Sequence, residues 1–361
     1  MSTNINESEN FFNIDFFSHP KANSADNIRT TSLPVFSSQM NLEEIDMKDF
    51  LINVKTHQGS ISYQYILNGL TPEEINSLLL KLCPYLVEIM CSHYGNYFIQ
   101  KLFLKLNVNQ RLLIFSIIKN NFIQLCANKS GTYSIQSLID VIKTPKEEAL
   151  LKSLLENHLV FLFTHEYAHH VIQKIIIDFP EEKRDYINAC IFENLDKICM
   201  NDYGSLCVIK FIIVNINLLY RIELVKSINK HFVSLVSNRF GCNVILFMIE
   251  KYGVGYSGFI FNEIKQNLIY FSTNNINSVS LVIKVINYMS KYDKFNLINL
   301  TWDIFKNDEI LFTMLKFENG LNILSSILKL ATDEQRNYFK MKTYNVLKDH
   351  MSENRFIYSV I

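Results

Sequence analysis

The chain has 361 residues with 35 basic and 35 acidic side chains, so its formal net charge of zero lacks the positive balance of most phosphate-backbone binders. With 48% hydrophobic residues, 27 phenylalanines and only six prolines, it holds ample material for a long helical core. Seven cysteines with no CxxC pair read as reduced core thiols of an intracellular protein; no signal peptide is evident, and no apolar run reaches the ~18 residues of a membrane span.

In chain order, the first element is a tail. Residues 1–44 are rich in Asn, Ser and Thr and are expected to be disordered, with Phe11-Phe12 and Phe16-Phe17 as a candidate docking motif. From residue 45 onward an internal repeat organises everything else. Gln58-Gly59, Tyr94-Gly95, Ser130-Gly131, Tyr167-Ala168, Tyr203-Gly204, Phe240-Gly241, Asn277-Ser278 and Phe317-Glu318 align, and their second residues are separated by 36, 36, 37, 36, 37, 37 and 40 positions. Each pair precedes a helical apolar pattern, such as Phe98, Ile99, Leu102, Phe103 and Leu106, or Ile172, Ile175, Ile176 and Phe179. Upstream of each lies a second amphipathic segment, for example Pro72–Leu82 or Pro145–Leu155. Units of this size cannot bury their own apolar faces, so the pattern predicts an all-α solenoid over residues 45–350, followed by a tail at 351–361.

Three variable positions follow each small residue: the first, the second, and the one four beyond the first. The first four units read Ser60, Ile61, Gln64; Asn96, Tyr97, Gln100; Thr132, Tyr133, Gln136; and His169, His170, Gln173. Residues i and i+4 share one helix face, so two polar groups and a flat side chain converge there. That is a pocket for one flat, hydrogen-bonding object such as a nucleobase. The later units read Ser205, Leu206, Ile209; Cys242, Asn243, Leu246; Val279, Ser280, Ile283; and Asn319, Gly320, Ile323, in which the last polar reader has become aliphatic. Lys101, Lys174, Lys210 and Lys284 recur just after the third position and form a candidate basic ladder for a phosphate backbone.

Two further motifs match enzymes. His165-Glu166-Tyr167-Ala168-His169 fits HExxH, but Tyr167-Ala168 occupies the start of a repeat helix, so His165 and Glu166 fall in the preceding turn and lose the i, i+4 geometry a zinc site needs. Gly253-Val254-Gly255-Tyr256-Ser257-Gly258 fits GxGxxG, yet it follows the helical stretch Val244–Lys251 rather than a strand and reads as a loop insertion between units six and seven. No catalysis, cofactor or metal is expected.

The repeats Tyr94-Gly95-Asn96-Tyr97-Phe98-Ile99-Gln100-Lys101 and Tyr167-Ala168-His169-His170-Val171-Ile172-Gln173-Lys174, with Gln58-Gly59-Ser60, resemble those of the Pumilio (PUF) family. The resemblance implies a right-handed, crescent-shaped superhelix of eight ~36-residue repeats, ARM/HEAT-like, which binds single-stranded RNA antiparallel on its concave face, one base per repeat. It implies uracil at Asn96 and Gln100 with Tyr97 stacking, adenine at Ser60 with Gln64 and at Thr132 with Gln136, and uracil or no preference at His169 with Gln173. Tyr133, His170, Ser205, Cys242, Asn243 and Asn319 complete the candidate base-binding set. Val279 and Ile283 stand where the family commonly carries Ser and Glu for guanine, a departure from its 5′ UGU element. The implied role is mRNA 3′ UTR binding and control of mRNA stability or translation in the cytoplasm, as a monomer away from membranes, with protein co-regulators on the convex face. The rival reading is a protein-interaction scaffold that has lost RNA binding.

Overall fold

A computed structural model describes residues 46–349 apart from 216 and 275; both tails, with the paired phenylalanines, lie outside the described residues. Among the described residues the secondary structure is helical, without strands. Eight helices stack side by side in one row, each packed on the next: His57–Gly69, Gly95–Phe103, Gly131–Asp140, His169–Asp178, Asp202–Val214, Arg239–Tyr252, Ile276–Tyr292 and Glu318–Leu330. Behind them run Pro72–Leu82, Val108–Ile118, Pro145–Leu155, Asp185–Glu193, Leu218–Lys230, Val254–Gln266, Lys294–Lys306 and Asp333–Asp349. Short helices such as Leu86–Met90 and Phe122–Ala127 join the two sets within a unit.

Local chemistry explains where these elements begin. Thr71, Asn107 and Thr144 each close a capping box; Thr71 Oγ1 accepts from the Glu74 amide while Glu74 accepts from the Thr71 amide at 2.7 Å. Pro72 and Pro145 then supply a first helical residue that needs no donor. The apolar stripe of each row helix enters a continuous core in which Phe50, Phe98, Phe103, Phe163, Phe211, Phe232, Phe271 and Phe305 are fully buried.

The aligned small residue is a steric requirement. A Cβ on Gly204 would lie 1.8 Å from the carbonyl oxygen of Ile198, and one on Gly241 would lie 2.3 Å from that of Leu235. In each case the obstacle is the backbone six residues earlier. The same test moves the register of the eighth unit. A Cβ on Gly320 would lie 2.4 Å from the Met314 oxygen, whereas Glu318 is exposed. Asn319-Gly320 therefore replaces Phe317-Glu318, and the three variable positions become Leu321, Asn322 and Ser325. Near-constant spacing concealed this, because the last linker is two residues longer than expected.

The expected loop insertion at Gly253–Gly258 is also corrected. Gly253, at φ +77°, ends one row helix, and the chain passes directly into the helix Val254–Gln266. A single left-handed glycine is the whole turn, and Gly258 is an ordinary helical residue.

Candidate functional site

The first four row helices present their variable positions in the same way. The first position is buried against the neighbouring unit, the second projects outward, and the third lies half-buried beside the first. Ser60, Asn96 and Thr132 are only 2%, 2% and 1% exposed, while Tyr97 and Tyr133 are 50% and 47% exposed. Ile61 and His170 are exposed at the equivalent place. The row thus carries a ladder of outward side chains, three of the first four of them flat.

Hydrogen bonds fix the polar members. Gln100 Nε2 donates to Asn96 Oδ1 at 2.8 Å, and Gln64 Nε2 donates to Ser60 Oγ at 3.1 Å. Gln136 Nε2 donates to the Thr132 carbonyl at 3.3 Å. An amide group carries two N–H donors and a carbonyl, so each glutamine keeps one donor and its acceptor for an external partner. Unit four is built differently. His169 Nδ1 is bonded to the His165 carbonyl at 3.1 Å, and its ring stacks on Tyr203 at 5.0 Å. Burial, with His170 adjacent, holds the His169 imidazole down to about 4, so it is neutral near pH 7. Cys207 Sγ lies 3.7 Å from the His169 carbonyl, and burial pushes this thiol well above its usual range, with Gln173 near enough to oppose the rise.

In units five to seven the third position turns apolar, and in the corrected unit eight it is the exposed Ser325. Ile209 is buried, Leu246 and Ile283 are half-buried, and Val279 fills a first position with no polar atom. Ser205 Oγ donates to the Asp202 carbonyl at 2.8 Å, and Cys242 Sγ lies 3.7 Å from the Asn277 carbonyl. Asn243 is half-buried at the second position of its unit. Asn319 precedes the small residue of the corrected eighth unit, the place of Tyr94 in unit two, and so leaves the variable triplet.

The lysine ladder is uneven. Lys174 Nζ sits 2.5 Å from Asp140 and 2.7 Å from Asp178, two carboxylates that already neutralise it. Lys284 lies close enough to Glu250 to oppose the rise that burial imposes on that carboxyl. Lys101 is half-buried, and among the described residues it forms no ion pair. The HExxH segment is split as its register predicts: the helix Leu159–Thr164 ends before His165, and the next begins at His169.

Sequence reasoning missed a capping column three residues ahead of the small residue. Thr56, Ser92, Asn128, Asn201 and Asn238 each accept a hydrogen bond from the amide of the glycine that follows, at 2.9–3.2 Å. His165 Nδ1 does the same for Ala168 at 3.4 Å. The signal was present as Thr, Ser or Asn at one fixed offset.

The Pumilio-family RNA binding repeat model matches residues 85–119, 121–155, 164–187 and 231–265, which hold units two, three, four and six. Pumilio homolog 9 of Arabidopsis thaliana is 29% identical over 184 residues, which cover 50% of this chain and 32% of that protein. A Pumilio domain-containing protein of Schizosaccharomyces pombe is 26% identical over 234 residues, 65% of this chain and 34% of that protein. The chain therefore spans about a third of the length of these curated relatives. Among solved structures, the PUM-HD domain of S. pombe Puf1 in complex with RNA superposes with a TM-score of 0.72 at 17% identity, covering 92% of this chain and 85% of that one. The RNA-binding domain of yeast Puf5p bound to RNA gives 0.64 at 22% identity, covering 88% and 94%. These structural likenesses show the fold.

Proposed function

The chain belongs to the Pumilio family of RNA-binding repeat proteins, and from that premise we propose that it binds single-stranded RNA along the face of the helical row, with sequence selectivity concentrated in units one to three. The observation that carries this reading is the repeated pairing of an outward side chain, Tyr97 or Tyr133, with a glutamine amide held beside it by the first-position residue. Bases stack on the rings, at ~1–3 kcal/mol each, while the free donor and acceptor of the glutamine meet a base edge. Units five to seven offer aliphatic contact at the third position and read edges weakly.

The binding unit is residues 45–350, and the natural ligand is mRNA, bound in its 3′ UTR for control of stability or translation in the cytoplasm. Protein co-regulators complete that role, and the protein acts as a monomer. The chain has no catalytic part in it.

The test is fluorescence anisotropy of the full chain at fixed salt, with UGUAUAUA and with the same RNA scrambled in its AUA end. Tighter binding of the first supports selective reading by units one to three. Failure of both RNAs to bind below ~10 μM near physiological salt, the range of nonspecific association, would establish the scaffold reading instead.

A further inference from the structure

Behind the row, the outer helices of units three and four are tied at one end and parted at the other. Near their starts, Lys183 Nζ meets Glu148 at 2.6 Å, linking Pro145–Leu155 to the chain that enters Asp185–Glu193. Toward their ends, a groove of ≈ 470 Å³ opens between the turn Glu156–His158, the short helix Leu159–Thr164 and the helix Asp185–Glu193. That volume lies within the ~300–1,000 Å³ of ligand sites. The wall combines aromatic rings with negative charge. Phe161 is 44% exposed, and Val160, Ala189 and Tyr186 continue its apolar surface. Burial, and then the nearby Glu156 carboxylate, push the Tyr186 phenol well above its usual range, so it stays neutral; among the described residues its hydroxyl has no hydrogen-bond partner. Lys152 Nζ stands 5.5 Å from the centre of that ring, which thus already attracts a cation from the rim. Glu156 and Glu193 flank the groove, both exposed, and among the described residues neither forms an ion pair. Two other grooves differ in this respect: Asp303 is held by Lys265 and Glu88 by Lys55, each at 2.6 Å.

We propose that this groove docks an arginine-bearing segment of a partner protein, with the guanidinium on the Tyr186 and Phe161 rings and its N–H groups on Glu156 and Glu193. A guanidinium is planar, stacks on aromatic faces and presents a fork of donors that carboxylates match, whereas the compact, strongly hydrated ammonium of lysine does each of these less well. Val160 and Ala189 leave an apolar wall for an aliphatic neighbour of the arginine. Two unpaired carboxylates repel phosphates, so the charge that suits an arginine peptide disfavours a second nucleic-acid strand. None of the lining residues belongs to the variable positions of the row, so peptide and RNA occupy different surfaces and bind together.

This inference deepens the co-regulator part of the proposed function and rests on that part, not on the base contacts. The full chain is titrated against a fluorescein-labelled hexapeptide, Gly-Leu-Arg-Leu-Arg-Gly, and against its citrulline and lysine counterparts, with anisotropy as the readout. Citrulline keeps the shape of arginine without its charge and should weaken binding about tenfold, and lysine about threefold. Glu156→Gln and Glu193→Gln should each weaken the arginine peptide by about three- to fivefold and together by about tenfold, with unchanged melts because both side chains are exposed. UGUAUAUA binding by the same variants should hold at the wild-type value. Equal binding of the arginine and citrulline peptides, an unaltered double variant, or no saturable binding below about 1 mM would overturn the inference. So would competition between UGUAUAUA and the peptide, which would place both on one surface. A chain that binds the arginine peptide in this pattern but not the RNA would support the groove while the RNA-binding reading alone fails.

Discussion

Replacing Arg111 with methionine should loosen the solenoid between its second and third units. Glu147 has no exposed side-chain area, and Arg111 Nε meets it at 2.6 Å, with Nη2 at 3.4 Å and Nη1 on the Leu106 carbonyl at 2.7 Å. Burial alone would raise the Glu147 carboxyl, but bonds from Arg111, Thr144 and Lys143 hold it below the ordinary carboxylate range. Deleting one partner of a buried pair costs ~3–5 kcal/mol, because the other charge stays behind. Glu147 keeps its bonds from Thr144 Oγ1 at 2.8 Å and from the Thr144 and Lys143 amides at 3.0 and 3.1 Å, which places Arg111→Met at the lower end, about 3 kcal/mol. The double variant Arg111→Met, Glu147→Leu leaves no buried charge; it loses a capping box and the bond to Leu106, roughly 1 kcal/mol each, and should be more stable than the single one. Urea unfolding followed by circular dichroism at pH 7 measures both. The carboxyl is depressed in the folded protein, so its stabilisation is complete above the unfolded value near 4.5 and is lost as the pH falls below it. The acid limb of Arg111→Met should accordingly be shallower than that of wild type. A loss under 1 kcal/mol, or a double variant worse than the single one, would refute the argument.

Three further outcomes follow from the same structure. Gly204→Ala drives a methyl group into the Ile198 carbonyl and should cost about 3 kcal/mol in urea, whereas Gly69→Ala, with nothing within 4 Å, should be neutral or stabilising by up to about 1 kcal/mol. His169 is held at about 4 against an ordinary 6.5, so the unfolded chain takes up its proton first and stability should fall from pH 6.5 to pH 4, by up to about 3 kcal/mol. Thermal melts of His169→Asn beside wild type across that window isolate the effect, and parallel curves would contradict it. Tyr97→Ala should weaken RNA binding by ~1–3 kcal/mol without altering the melt, since the ring is half exposed.

Much of this was legible in the sequence because the repeat imposes one constraint many times. A backbone passing six residues behind Gly59, Gly95, Gly131, Gly204 and Gly241 leaves room only for a small residue, and that demand writes itself at near-constant spacing. The adjacency of Asn96 and Gln100, four residues apart with Tyr97 beside them, follows from helix geometry. What escaped has equally physical reasons. Gly320 was misaligned because spacing tolerates insertions in a linker, whereas a steric contact with Met314 does not. Gly253 carries the left-handed conformation that lets one residue do the work of a loop, and sequence alone does not separate that from a longer insertion.

The lysine ladder leads to a last test, in which structure and composition agree. Each phosphate neutralised by a cation contributes about −0.7 to the slope of log K against log salt for a single strand. Lys174 is already held by Asp140 and Asp178 and has little charge left to offer a phosphate. Lys101, unpaired among the described residues, is in the opposite situation. Lys174→Met should therefore leave the salt slope unchanged, while Lys101→Met should make it shallower by about 0.7. Even with all four lysines engaged the slope would not exceed about −3, shallow for an RNA-binding surface and in keeping with a chain of zero net charge. Affinity on such a surface must come mainly from stacking and edge contacts, which salt barely touches. Equal changes for the two lysine variants, or a wild-type slope well beyond −3, would show that backbone charge dominates and that the stacking ladder on the row is secondary.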